Sequence, residues 1–101
     1  MSYKILDKPK EKNITKFKEP PEFFVILLND DYTTMDFVVE ILMTIFHKNL
    51  KDANHIMLEI HKKGKGIVGR YTWDIAVTMT EQVHAAAKEN EFPLRCIVES
   101  A

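Results

Sequence analysis

ILLNDDYTTMDF, residues 26–37, passes from an apolar run into Asn29, Asp30 and Asp31 and then directly into helical spacing. Upstream, Phe23 to Leu28 are six apolar residues between Pro20-Pro21 and the Asn-Asp-Asp cluster, rich in aromatic and β-branched types. They predict a buried strand. Downstream, Thr33 stands three residues before Asp36, the Thr-x-x-acid pattern of a capped helix start. Phe37, Val38, Ile41, Leu42, Ile45 and Phe46 follow on one helical face and predict a helix running to about Lys48.

Asn49-Leu50 interrupts that pattern. KDANHIMLEIHKK, residues 51–63, predicts a second helix with Ala53, Ile56, Met57 and Ile60 on one face and Gly64 as its stop. IVGRYT, residues 67–72, predicts a strand paired with the first, where Gly69 permits close packing or a small bulge. Thr72 is the expected cap of a third helix from Trp73 to about Asn90, with Ile75, Ala76, Met79, Val83, Ala86 and Ala87 as its apolar stripe. In PLRCIVES, residues 93–100, Leu94, Cys96 and Val98 alternate with Arg95, Ile97 and Glu99, as in a strand with one side on a core. The order βααβαβ predicts an α+β sandwich, a small sheet covered by helices.

A chain of 101 residues with 46% hydrophobic content suits one domain with a real core. Its net charge of -1 supplies no global attraction to nucleic acid or to anionic membrane, so neither is an expected partner. Charge is uneven, with six lysines against Asp7, Glu11 and Glu19 in the first 20 residues. That segment lacks a strong period and reads as a solvated extension, residues 1–20, ahead of a core at 21–101. No apolar run approaches the about 18 residues of a membrane span, and no secretory apolar core opens the chain, so a cytoplasmic protein is expected. A lone Cys96 fits a reducing compartment.

Several chemistries lack their parts. Gly64-Lys65-Gly66 is a helix stop and turn, not a phosphate-binding loop, and no nucleophile elbow is present. His55 and His61 are six apart and fall on different helix faces, and Asp30, Asp31 and Asp36 lack the alternation of a calcium loop, so no metal or other cofactor is expected. What remains is a constellation. If the end of the first strand lies over the second helix, Asn29, Asp30 and His61 offer an amide oxygen, a carboxylate and an imidazole nitrogen, the acceptors an ammonium group needs on leaving water. Met35, Met57 and Leu94 are suited to line an adaptable apolar pocket beside them. Read from residues alone, this is a small α+β binding module.

ILLNDDYTTMDFV, then IMLEIHKKGKGIVG, then ENEFPLRC, in this order and spacing, resemble the ClpS family, adaptors that hand N-end rule substrates to the Clp unfoldase-protease. The resemblance covers about residues 22–101. It implies three antiparallel strands with three helices, and a non-enzymatic adaptor for proteins whose first residue is Leu, Phe, Tyr or Trp. It further implies that Asn29, Asp30 and His61 receive the free α-amino group. Thr33, Met35, Val38, Ile41, Met57, Ile60 and Leu94 would then form the hydrophobic pocket, with Met35 as the gatekeeper against β-branched side chains. It also implies docking on the N-terminal domain of a ClpA-type AAA+ unfoldase through a surface that includes Asp74 and Met79. Met79 stands where members often carry a basic residue, and Thr34 where many carry proline. Two other classes remain open on the residues themselves: a small metal-dependent hydrolase using Asp30, Asp31 and His61, and an RNA-associated module, which the acidic core disfavours.

Overall fold

The computed structural model describes residues 19–101. The Lys-rich extension expected at residues 1–20 therefore lies, except for its last two residues, outside the described part. Six elements follow in order: β1 (Glu22–Leu28), α1 (Met35–Thr44), α2 (Leu50–Lys63), β2 (Lys65–Thr72), α3 (Trp73–Glu89) and β3 (Arg95–Ser100). β1 is the centre of an antiparallel sheet of order β2-β1-β3, and its six apolar residues suit a position with neighbours on both edges.

The register explains the odd composition of β2. Val25 pairs with Gly69 but Ile26 pairs with Ile67, so one extra residue on β2 is accommodated between them, a bulge at Val68–Gly69. A Cβ at Gly69 would come within 2.8 Å of the Tyr71 hydroxyl, so the missing side chain admits the Tyr71 ring. Pairing of Leu28 with Lys65 also starts β2 two residues before the expected Ile67.

Val25 and Leu27 of β1, Val68 of β2 and Cys96 of β3 meet Phe37, Val38, Ile41 and Leu42 of α1, Ala53 and Ile60 of α2, and Ala76, Val83 and Ala87 of α3 in one core. α3 packs across all three strands, whereas α2 lies on β2 and α1. Leu27 and Leu42 are fully buried, and truncating either to alanine would cost roughly 2 to 5 kcal/mol.

Three helix boundaries differ from the sequence reading, each for a local reason. α1 is capped by Thr34, whose hydroxyl accepts from Phe37 N–H at 3.1 Å, and not by Thr33. α1 ends at Thr44 rather than near Lys48, because His47 takes a left-handed conformation (φ 58°) and the Lys48 N–H turns back to the Leu42 carbonyl at 3.0 Å. Asn49 then opens α2, its side chain accepting from Asp52 N–H at 2.8 Å. Thr72 does occupy the cap position of α3, but its side chain makes no capping hydrogen bond.

Candidate functional site

β1 ends where Asn29 begins, and its end is fixed by the end of α2. Gly64 closes α2 in the left-handed region at φ 89°, its N–H donating to the Ile60 carbonyl at 2.9 Å. The Gly64 carbonyl in turn accepts from Asn29 N–H at 2.9 Å. The strand end thus rests against the last turns of α2, which carry Met57, Ile60 and His61 at helical spacing on a neighbouring face.

Beyond Asn29 the chain wraps around one carboxylate. Asp30 Oδ1 accepts from Tyr32 N–H at 2.8 Å and from Thr33 N–H at 2.7 Å, and Asp30 Oδ2 accepts from the Thr33 hydroxyl at 2.7 Å. This is why Thr33 does not cap the helix: its hydroxyl is committed to Asp30, and Thr34 takes the capping role. Burial alone would raise the Asp30 carboxyl, but the hydrogen bonds from Thr33 and Tyr32 outweigh it and hold it below its ordinary 3.8. Asp30 therefore stays ionised at neutral pH. Three donors use three of its roughly four acceptor positions, leaving one side of the carboxylate open.

These elements enclose a cavity of about 260 Å³ lined by Asn29, Asp30, Asp31, Thr33, Met35, Val38, Met57, Ile60 and His61. Its walls are apolar below, where Val38 and Ile60 are buried, and polar at the rim, where Asn29, Asp31 and His61 are exposed. Met35, 42% exposed at the first position of α1, borders the mouth. Of the ten residues expected to bind amine or side chain, eight line this cavity. Ile41 and Leu94 are not among its lining residues; at 2% and 3% exposure they lie in the core. Asp31 also lines it, although the sequence placed it only in the alternative hydrolase set and not among the amine-binding residues.

An amide oxygen, two carboxylates and an imidazole above an apolar floor can accept the three N–H donors of an ammonium group while burying an attached hydrocarbon side chain. Among the described residues, no cluster of three or more His, Cys, Asp or Glu side chains is placed to hold a metal ion. Cys96 is buried and its thiol is pushed up by that burial, against a weaker pull from Thr80.

Asp74 and Met79 stand elsewhere, on α3. With Ile45, His47, Ile75, Thr78 and Gln82 they line a shallow groove of about 320 Å³. Among the described residues, no helix is long and apolar enough to cross a membrane.

Comparison with known proteins gives this geometry a context. The family described as ATP-dependent Clp protease adaptor protein ClpS matches residues 18–97. The ClpS adapter protein of Acetivibrio thermocellus is 58% identical over 99 residues, covering 98% of each chain. That of Syntrophus aciditrophicus is 60% identical over 81 residues, 80% of this chain and 76% of that protein. Among solved structures, Agrobacterium tumefaciens ClpS2 bound to L-phenylalaninamide superimposes with a TM-score of 0.79 at 32% identity, covering 82% of this chain and all of that one. The sequence relatives are adaptors and not enzymes, and the solved structure shares the fold described above. The chain belongs to the ClpS family of Clp protease adaptor proteins.

Proposed function

We propose that this adaptor binds N-degron proteins through their free α-amino group and a bulky hydrophobic first residue, Leu, Phe, Tyr or Trp. It then delivers them to a ClpA-type AAA+ unfoldase for degradation. The observation that carries the reading is the cavity, in which Asn29, Asp30 and His61 meet Thr33, Met35, Val38, Met57 and Ile60. Its volume of about 260 Å³ falls below the roughly 300 Å³ at which sites for drug-sized ligands begin, a size suited to one side chain and its amine. Ile41 and Leu94 support the walls from the core. The neighbour's bound L-phenylalaninamide carries the two features in question, a free amine and a bulky side chain, which supports carrying that recognition over to this chain.

Burying a Leu or Phe side chain contributes roughly 1.5 to 3 kcal/mol, and acetylating the amine would leave the acceptors of the rim without its donors. Recognition should therefore need both halves of the signal. Delivery would use the α3 groove with Asp74 and Met79 as the unfoldase-docking surface, and the N-terminal extension, residues 1–20 ahead of the core at 21–101, as a second element, all in the cytoplasm. Fluorescence anisotropy with labelled Phe-first and Leu-first peptides, their N-acetylated forms and an Ile-first control tests the reading. Binding that requires the free amine supports it. Equal binding of the acetylated peptides, or none of any, overturns it.

A further inference from the structure

All three helices join one core with Val25, Leu27, Val68 and Cys96, so the alternate residues of each strand face away from that core. The register shows what this outer face carries. Ile26 pairs with Ile67 of β2 and Ile97 of β3, an apolar row across the sheet. Toward the start of β1, Phe24 stands between Arg70 and Glu99; toward its end, Leu28 stands between Lys65 and Arg95. None of the five apolar side chains joins the core cluster, and Ile67 is 51% exposed. Arg70 is engaged within the chain, 3.0 Å from a Glu22 carboxylate oxygen and 5.8 Å from the centre of the Phe24 ring. Among the described residues, no carboxylate pairs with Lys65 or Arg95.

We propose that this open sheet face docks an amphipathic helix of a partner protein, its apolar stripe on the Phe24, Ile26, Ile67 and Ile97 side chains and carboxylates at one end against Lys65 and Arg95. Charge selects an acidic partner. Residues 19–101 carry 13 acidic and 8 basic side chains, yet three of the eight, Lys65, Arg70 and Arg95, stand on this face. With Arg70 held by Glu22, the cations left for a partner are both at the Leu28 end, which sets the direction in which the helix lies. Area selects a helix over a second copy. Three strands about 4.8 Å apart, along the roughly 14 Å from Phe24 to Leu28, offer on the order of 200 Å², far below the roughly 800 Å² per partner of a stable dimer. Two to three turns of a helix about 10 Å wide match it. At the β2 edge, Lys65 and Ile67 also line a groove of about 260 Å³ with Glu59, Lys63 and Gly66, room for one side chain of that helix. No residue of this face lines the cavity or the α3 groove, so the inference does not rest on the amine-binding reading, and the helix would dock with both of those sites occupied.

The test uses the full chain and two synthetic amphipathic helices of about four turns, both with a leucine stripe, one with Glu at its C-terminal polar positions and the other with Lys in place of each Glu. The Glu helix is expected to bind about ten-fold or more tightly than the Lys helix. In a Lys65→Glu, Arg95→Glu double variant, both positions being exposed, that preference should reverse. Ile67→Lys should weaken the Glu helix about ten-fold with the urea midpoint held, because the position is exposed. Isoleucine-methyl NMR locates the contact: Ile67 and Ile97 should move with the Glu helix, and Ile60 of the cavity and Ile75 of the α3 groove should not. No binding of the Glu helix, equal binding of the two helices, or a preference unchanged in the double variant overturns the proposal. So does an Ile97 signal that shifts on diluting the free protein, which assigns the face to a second copy of the chain. An Ile97 signal broadened by phosphatidylglycerol vesicles and indifferent to the Glu helix assigns the face to a lipid surface, and also overturns it.

Discussion

The cavity at the end of β1 and the groove on α3 are of similar size, about 260 and about 320 Å³, but they are built by opposite means. In the cavity the backbone does the positioning. Asn29 is held by Gly64, Gly64 by Ile60, and Tyr32 and Thr33 by Asp30, so Asn29, Asp30 and Thr33 are fixed by hydrogen bonds at their base. The α3 groove is a surface of side chains on one helix and a neighbouring turn, and its residues can change without moving any backbone. The first design suits recognition of one small group in one orientation, the second a contact that differs between relatives. Substitutions in the cavity should therefore act on geometry and affinity together, and substitutions in the groove on partner binding alone.

The largest effect is expected at Asp30. Replacing it by alanine would remove the turn and the charge at once and could not separate them. Asp30→Asn keeps an oxygen that can accept from Tyr32 and Thr33 N–H while removing the charge. Affinity for a Phe-first peptide should fall about 30-fold, corresponding to the loss of a charge-assisted hydrogen bond of roughly 2 kcal/mol, with a smaller loss of stability beside it. Anisotropy and calorimetry on the same sample read the two quantities. Affinity that stays unchanged would make Asp30 a turn residue only.

Gly66→Ala should come next. A Cβ there would approach Ile60 Cγ1 to 2.7 Å and the Ile56 carbonyl to 3.5 Å. Ile60 is 2% exposed, so it has little room to retreat except toward the cavity it lines. The expected cost is about 1 to 2 kcal/mol in urea unfolding, with peptide affinity reduced as Ile60 narrows the floor. The equivalent change in the α3 groove, at an exposed position such as Thr78, should do neither.

Much of this design was readable in the sequence, and the exceptions share one cause. β1, the helix stop at Gly64 and the alternation of β3 follow from local patterns, because local composition decides them. Thr33 and Thr34 could not be separated by pattern, since both are good caps and only the Asp30 turn shows which hydroxyl is free. The end of α1 was lost for a similar reason: Phe46 continues the apolar stripe, and nothing in His47 announces a positive φ. Asn29, Asp30 and His61 were identifiable as an acceptor set by residue type alone, but their meeting depends on the Asn29–Gly64 hydrogen bond, a contact 35 positions apart in sequence. Ile41 and Leu94 show the converse. Their side chains suit a pocket as well as a core, and only packing assigns them to the core.

A smaller effect is expected from pH. The folded Asp30 carboxyl lies below its ordinary value, so its contribution to stability is complete above that value and is lost as pH falls through the lowered folded one. The stability gap between the parent and Asp30→Asn, measured by urea unfolding, should hold near neutral pH and shrink from about pH 4 downward. A gap that does not change between about pH 6 and about pH 3 would mean that the turn does not depend on the charge. No groove residue should show such a gap.

The smallest effects on the fold itself are expected on α3, and there the contrast between the two regions is most exposed to failure. Asp74 is exposed, and Met79 is partly buried with its chain against the core, so Met79→Lys can lay the lysine stem along the same surface with the ammonium in water. Asp74→Ala and Met79→Lys should each change stability by less than about 0.5 kcal/mol and leave Phe-first peptide affinity unaltered. Against the N-terminal domain of a ClpA-type unfoldase the two should diverge. Asp74→Ala should weaken binding, and Met79→Lys should make it steeper in its dependence on salt, because it adds a charge to a groove now lined mainly by Ile45, Ile75 and Met79 around Asp74. Titrations at two salt concentrations measure this directly. If either variant also shifts peptide affinity, α3 is transmitting to the cavity across the sheet, and the separation of a backbone-built site from a side-chain-built one does not hold.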